Sequence, residues 1–188
     1  MVQYVDPMVS KAKFEQEIAD FRASRRIHRE RGWFLLHADF PISEVLLVVP
    51  SSQPLAAPVV VRFDYSNYDA EPPSVTLAHP LTGEPFAMKD LPIQVMQVIR
   101  GDGPMQQLQS LMQAYGPDDV PFLCVPGVKE YHDNPAHTGD PWELYRTQGA
   151  GRLARLLDVI FVHGILPIKG FNVILKPQIS GFRSDFTS

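Results

Sequence analysis

Residues 63–80 read FDYSNYDAEPPSVTLAHP, and the architecture turns on how this stretch is parsed. It opens on the end of an apolar run, 59–63, and closes on a second short one, 75–77. Between them lie Ser66, Asn67, Asp69 and the double proline Pro72-Pro73. That composition favours fixed turns and breaks any helix. Two short β-branched runs bounded by such signals read as neighbouring strands. Upstream, 33–38 and 45–49 are similar runs, punctuated by Pro41, Pro50, Pro54 and Pro58. Together the four predict an antiparallel meander of four strands.

Before the meander, Asp6-Pro7 has the form of a helix start, with an aspartate cap and a proline in the first turn. Phe14, Ile18, Phe21 and Arg25 recur at helical spacing with charged residues on the other faces, which predicts an amphipathic helix over 8–30. Gly32 ends it. After the meander, 91–99 is apolar and fits a strand or a short helix. Gly101, Asp102, Gly103 and Pro104 mark a break. Met105, Leu108, Leu111, Met112 and Tyr115 then fall at helical spacing, so 105–115 reads as a helix. Asp140-Pro141 repeats the cap-and-proline pattern ahead of a helix over 142–162, weakened at Gly149 and Gly151. Gly164 stops it. The tail, 165–188, carries a strand-like piece at 171–175 and a polar end. The fold class is therefore α+β: an N-terminal helix, a four-stranded antiparallel meander and C-terminal helices. We read 1–188 as a single domain with an insertion at about 81–119.

With 188 residues, 45% of them hydrophobic, the chain can bury a full core. The net charge of −4 gives no electrostatic reason to expect nucleic acid. Arg22, Arg25, Arg26, Arg29 and Arg31 form a local basic run, read either as a solvated helix face or as a docking face for an acidic protein. No apolar run is long enough to cross a membrane, and the N-terminus has no secretory pattern. The single cysteine excludes an internal disulfide and fits a reducing, cytoplasmic setting.

That cysteine lies in the chemically densest stretch, residues 121–142, PFLCVPGVKEYHDNPAHTGDPW. Cys124, Glu130, His132, Asp133, Asn134 and His137 all fall within it. Three chemistries compete. In acyl transfer a thiolate on an accessible loop attacks a thioester. A free thiol, with a pKa of about 8.5, needs a neighbouring base or cation to ionise. His132 has the chemistry of a base, and Glu130 would point to its side in an extended segment. In a metal site, Cys124, Glu130, His132 and His137 are four legitimate zinc ligands, without the paired motifs of common zinc sites. In a cysteine hydrolase the same cysteine and histidines would serve, with no local protease signature present. Against all three stands the plain possibility of a small buried hydrophobe flanked by Leu123 and Val125. We read His79 as pinning the turn after the fourth strand. Trp142 is expected to pack the loop with its N–H bonded, and Arg146 to anchor it through Asp140 or Asp133.

The order of these pieces resembles the ubiquitin-conjugating enzymes. Residues 63–80 carry the likeness, with Tyr68 ahead of Pro72-Pro73, a short strand, then His79-Pro80. The cysteine loop resembles divergent bacterial relatives encoded beside a ubiquitin-like protein, an activating enzyme and a JAB-type peptidase. It is also similar to a family described as a predicted metal-binding Cys-Glu-His-His domain. Two departures stand out. Leu81 follows His-Pro where the eukaryotic family has asparagine, and Cys124 comes some forty residues later. The resemblance implies a transferase that needs no cofactor, with zinc as the alternative. Cys124 would carry the modifier as a thioester and His132 would act as base. Glu130, Asp133, Asn134 and His137 would orient the groups. The implied partners are a ubiquitin-like protein, an adenylating activating enzyme docked on the N-terminal helix, and the JAB-type peptidase. The implied setting is antiphage defence.

Overall fold

A computed structural model describes residues 5–50, 56–100 and 106–169. The first helix, α1 (Pro7–Ala23), starts as its sequence predicts, with the Asp6 carboxylate accepting the Met8 N–H at 2.9 Å. It does not run on to Glu30. Ser24 leaves helical geometry and its N–H is shared between the Asp20 and Phe21 carbonyls, so a short α2 (Arg25–Glu30) begins anew. Gly32 then turns the chain at a φ of +76°, where a Cβ would lie 2.6 Å from the Val48 carbonyl oxygen.

The meander is as expected: β1 (Trp33–Asp39), β2 (Ile42–Val49), β3 (Ala56–Asp64) and β4 (Ser74–Ala78), antiparallel in the order 1-2-3-4. Val45, Val61 and Leu77 align across three strands, as do Ser43, Phe63 and Val75. All six are buried, so one face of the sheet is continuous core. Phe14 and Ile18 of α1 join that core, Phe14 packing edge-on against Tyr65. The C-terminal helix α5 (Leu153–Ile160) supplies Leu153, Leu156, Leu157 and Ile160, all fully buried.

After the meander, the strand alternative read for 91–99 forms at 96–100, but the described part of 105–115 is not the helix expected there. Residues 96–100, 106–110 and 112–113 are strands. Strand β5 (Met96–Arg100) pairs antiparallel with β6 (Gln106–Ser110), and β7 (Met112–Gln113) pairs with β8 (Phe122–Leu123). The predicted stripe is not one face: Leu111 is buried, but Leu108 is 67% exposed and Tyr115 also faces solvent. Across the ribbon, the Gln97 side chain donates to the Gln109 side-chain oxygen at 3.0 Å. Pairing with β5 overrides a local preference that helix and strand share. The Gly101 to Pro104 break and the tail piece at 171–175 lie outside the described residues.

The predicted 142–162 helix is divided at its glycines. A one-turn α4 (Glu143–Arg146) is followed by a turn through Gly149, at a φ of +73°, before α5 begins. Asp140 does not cap α4; its carboxylate is used elsewhere. A π-turn, Phe161–Ile165, takes in Gly164, which packs on Val95 instead of stopping a helix. Among the described residues no helix is long and apolar enough to cross a membrane.

A pair of truncations separates ribbon from helix. Leu111→Ala removes buried volume and should cost about 2–5 kcal/mol. Leu108→Ala, on the exposed side of β6, should stay within about 0.5 kcal/mol of wild type. Urea denaturation of both variants makes the measurement; equal losses would restore the helical stripe.

Candidate functional site

The cysteine loop is held from below by the sheet. Strand β8 packs beside β4, and the Cys124 N–H donates to the Leu111 carbonyl at 2.7 Å. The chain turns through Pro126 and Gly127. Gly127 has a φ of +101°, and a Cβ there would strike the Ala150 carbonyl. Arg155 of α5 reaches back to the same place, donating to the Pro126 and Ala150 carbonyls at 3.0 and 2.7 Å. A short helix follows, α3 (Lys129–Asp133), then a 3-10 turn at Pro135–His137 capped by the Asn134 side chain.

Because 129–133 is helical, Glu130 and His132 diverge, against the expectation of an extended segment. Glu130 turns inward, where it accepts the Ser74 hydroxyl; its other oxygen is buried without a partner among the described residues. Burial pushes its pKa up, the Ser74 bond opposing. Asp133 pairs with Lys129 at 2.9 Å, and Lys129 also pairs with Glu71. The Asn134 oxygen accepts the Ala136 N–H.

His132 is fully engaged by backbone. Its Nε2 accepts the Gly127 N–H at 3.1 Å, and its Nδ1 donates to the Asp140 carbonyl at 2.7 Å. With both ring nitrogens bonded to backbone, neither is left for a proton from a substrate. His137 is placed differently. Its Nε2 lies 3.5 Å from the Cys124 sulfur. Of the six residues singled out in the sequence, the structure brings these two together. Cys124 is half-buried, and burial raises its thiol pKa.

The surrounding frame was not anticipated. The His137 ring stacks on Tyr131 with centroids 4.0 Å apart. The Tyr131 hydroxyl donates to one oxygen of Asp140 at 2.7 Å, and the Tyr145 hydroxyl to the other at 2.9 Å. Those two bonds hold the Asp140 pKa down, the Tyr131 bond foremost, with the Tyr145 bond next. Trp142 packs as expected, its N–H donating to the Asp69 carbonyl at 3.0 Å. Arg146 anchors the loop through Asp69 at 3.0 Å, not through Asp140 or Asp133. Turns separate Tyr131, Asp140 and Tyr145, so no periodicity could have grouped them.

The donor set for a metal does not converge. His132 has spent both nitrogens, and Glu130 faces Ser74, away from a shared centre with Cys124 and His137. Among the described residues no three His, Cys, Asp or Glu side chains gather to hold an ion. The four residues do not fit a zinc tetrahedron as they stand.

A protein-family model described as Y4jH-like, the Y4jH family, matches residues 5–168. The uncharacterized protein y4jH of Sinorhizobium fredii (strain NBRC 101917 / NGR234) is 38% identical over 192 residues, covering 96% of this chain and 94% of that protein.

Glu130 gives a pH test of the inward-facing carboxyl. Its folded pKa is raised above the ordinary 4.5, so the fold favours the protonated form. Its contribution to stability is fully present below the unfolded value and is lost as pH rises through the folded one. Glu130→Gln, which stays neutral, should melt higher than wild type at pH 8 and converge with it near pH ~4. Calorimetry at the two pH values checks the sign, and a variant less stable at pH 8 would contradict it.

Proposed function

The chain belongs to the Y4jH-like family, and from the site it carries we propose that it is a conjugating-enzyme-like acyl transferase acting through Cys124. The observation that carries the proposal is the approach of His137 Nε2 to the Cys124 sulfur at 3.5 Å, on a half-buried loop beside β4. The order of elements supports it too: a helix, a four-stranded meander, the double proline ahead of β4 and His79-Pro80 after it. His79 pins that turn, its Nδ1 accepting the Leu81 and Thr82 N–H groups.

In this reading Cys124 passes its proton to His137 and attacks the thioester carbonyl of a ubiquitin-like protein carried by an activating enzyme. A new C–S bond forms, the bond to the donor's sulfur breaks, and the leaving thiolate takes the proton from His137, which is neutral again for the second step. A target amine then attacks the Cys124 thioester; the C–S bond breaks, Cys124 departs as thiolate and the amine's surplus proton goes to His137. No metal or cofactor is required by these steps. His137 takes the base role that the sequence assigned to His132, because it alone of the two has a nitrogen facing the sulfur. Glu130, Asp133 and Asn134 shape the loop from a distance. The modifier, the activating enzyme docked on α1, the JAB-type peptidase, the cytoplasmic setting and antiphage defence belong to this same proposal.

The test is reconstitution with the activating enzyme, modifier and ATP from the same operon. Wild type should form a thiol-sensitive adduct, and Cys124→Ala none. His137→Ala should slow discharge to amine by about 10²–10⁴-fold. His132→Ala should lower the melting temperature more than it lowers the rate per folded molecule. A competent partner set that yields no adduct would sink the transferase.

A further inference from the structure

We infer that Asp140 is the positioning residue of this site: through the Tyr131 hydroxyl it fixes the ring on which His137 stacks, and so sets the histidine against the Cys124 sulfur. The inference rests on the reading of Cys124 and His137 as a working pair.

Asp140 joins every piece of the loop. Its carboxylate accepts Tyr131 from α3 and Tyr145 from α4. Its carbonyl accepts His132, which in turn accepts the Gly127 N–H three residues past the cysteine. Its own N–H donates to the His137 carbonyl at 3.0 Å. His137 thus has two ties to Asp140, one through its backbone and one through the Tyr131 face.

Geometry explains why the second tie matters. The 3-10 turn carrying His137 is a single turn and has little rigidity of its own. An imidazole free to rotate about its side-chain bonds would lose its contact with sulfur. Stacking at 4.0 Å with rings 25° apart restricts that rotation. The platform must itself be fixed, and the 2.7 Å charge-assisted bond to Asp140 does this. Tyr145 binds the other carboxylate oxygen but its ring approaches His132, not His137. The two arms are therefore unequal: one serves the sulfur's partner and the other serves the loop.

The charged and titratable groups in contact with this frame are Cys124, His132, His137, Tyr145 and the Asp140 carboxylate; Lys129 is paired with Glu71 and Asp133 and turns away. A thiol that keeps its histidine ionises at lower pH than the same half-buried thiol alone. The readout is the pH dependence of Cys124 alkylation by iodoacetamide, which needs neither modifier nor activating enzyme. Failure of the transferase assay and failure of this inference are thus separable.

His137→Ala should raise the alkylation midpoint by about one unit or more. Asp140→Ala and Tyr131→Phe should move it in the same direction. Tyr131→Phe keeps the ring and the fold, so it guards against collapse of the loop. Tyr145→Phe should leave the midpoint near wild type while lowering the melting temperature. Asp140→Glu, which restores an acceptor, should recover part of the shift. An unchanged profile in Asp140→Ala or Tyr131→Phe, with circular dichroism intact, would overturn the inference. So would a Tyr145→Phe shift as large as that of Tyr131→Phe, or an unmoved midpoint in His137→Ala.

Discussion

The turn between β3 and β4 is the ledge on which the cysteine loop rests. Its main-chain oxygens and acidic side chains receive the cysteine loop at several points. The Asp69 carbonyl takes the Trp142 N–H, the Asp69 carboxylate takes Arg146 and faces Lys13 of α1, and the Pro73 carbonyl takes the Lys129 N–H. Glu71 adds an ion pair to Lys129. A turn this rich in proline loses little entropy on folding, so it is a rigid partner for a segment that has little regular structure itself. Glu17 of α1 extends the same junction, taking the Leu153 N–H at the start of α5 and facing the Tyr68 hydroxyl. Burial raises its pKa, with the Leu153 bond opposing; it serves as the cap that α5 lacks from its own sequence.

Legibility in the sequence followed the range of the interaction. The Asp6 cap, the four strands, the Gly32 stop and the His79 turn are decided within a few residues, and each could be read. The helical reading of 105–115 failed because its outcome is set across the ribbon: Leu108 pairs with Val98, and nothing local distinguishes the two periods. Arg146 was assigned to near neighbours, whereas Asp69 lies 77 residues away. Read from sequence, the base role falls to His132 and an orienting role to His137. What separates them is that Gly127 and Asp140 consume both nitrogens of one, a fact that depends on a closed loop and not on composition.

Three carboxylates show how placement divides labour among like groups. Glu17 and Glu130 are drawn inward and burial raises both, the cost of holding charge away from water. Each is kept because it satisfies a donor that would otherwise be orphaned: a helix N–H in one case, the Ser74 hydroxyl in the other. Asp140 is lowered instead, because two phenols donate to it. The group that organises the cysteine's surroundings is therefore the one that stays ionised most readily, and its hold on Tyr131 does not lapse near neutral pH.

The same logic bears on the sulfur. A half-buried thiol ionises reluctantly, since its surroundings disfavour the anion. Exposure alone would ease ionisation but would also leave a thioester open to water. Partial burial shields such an ester, provided something else supplies the proton acceptor at the moment of attack. In the proposed transfer, β8 and Leu111 shelter the sulfur, and the acceptor comes from a separate turn stacked on a tyrosine. On that proposal shelter and activation come from different elements, the sheet for the sulfur and the Asp140 frame for the imidazole. A chemistry that must protect an acyl group and yet release it to an amine benefits from that separation. In that reading the histidine exchanges its proton without disturbing the strand that holds the cysteine.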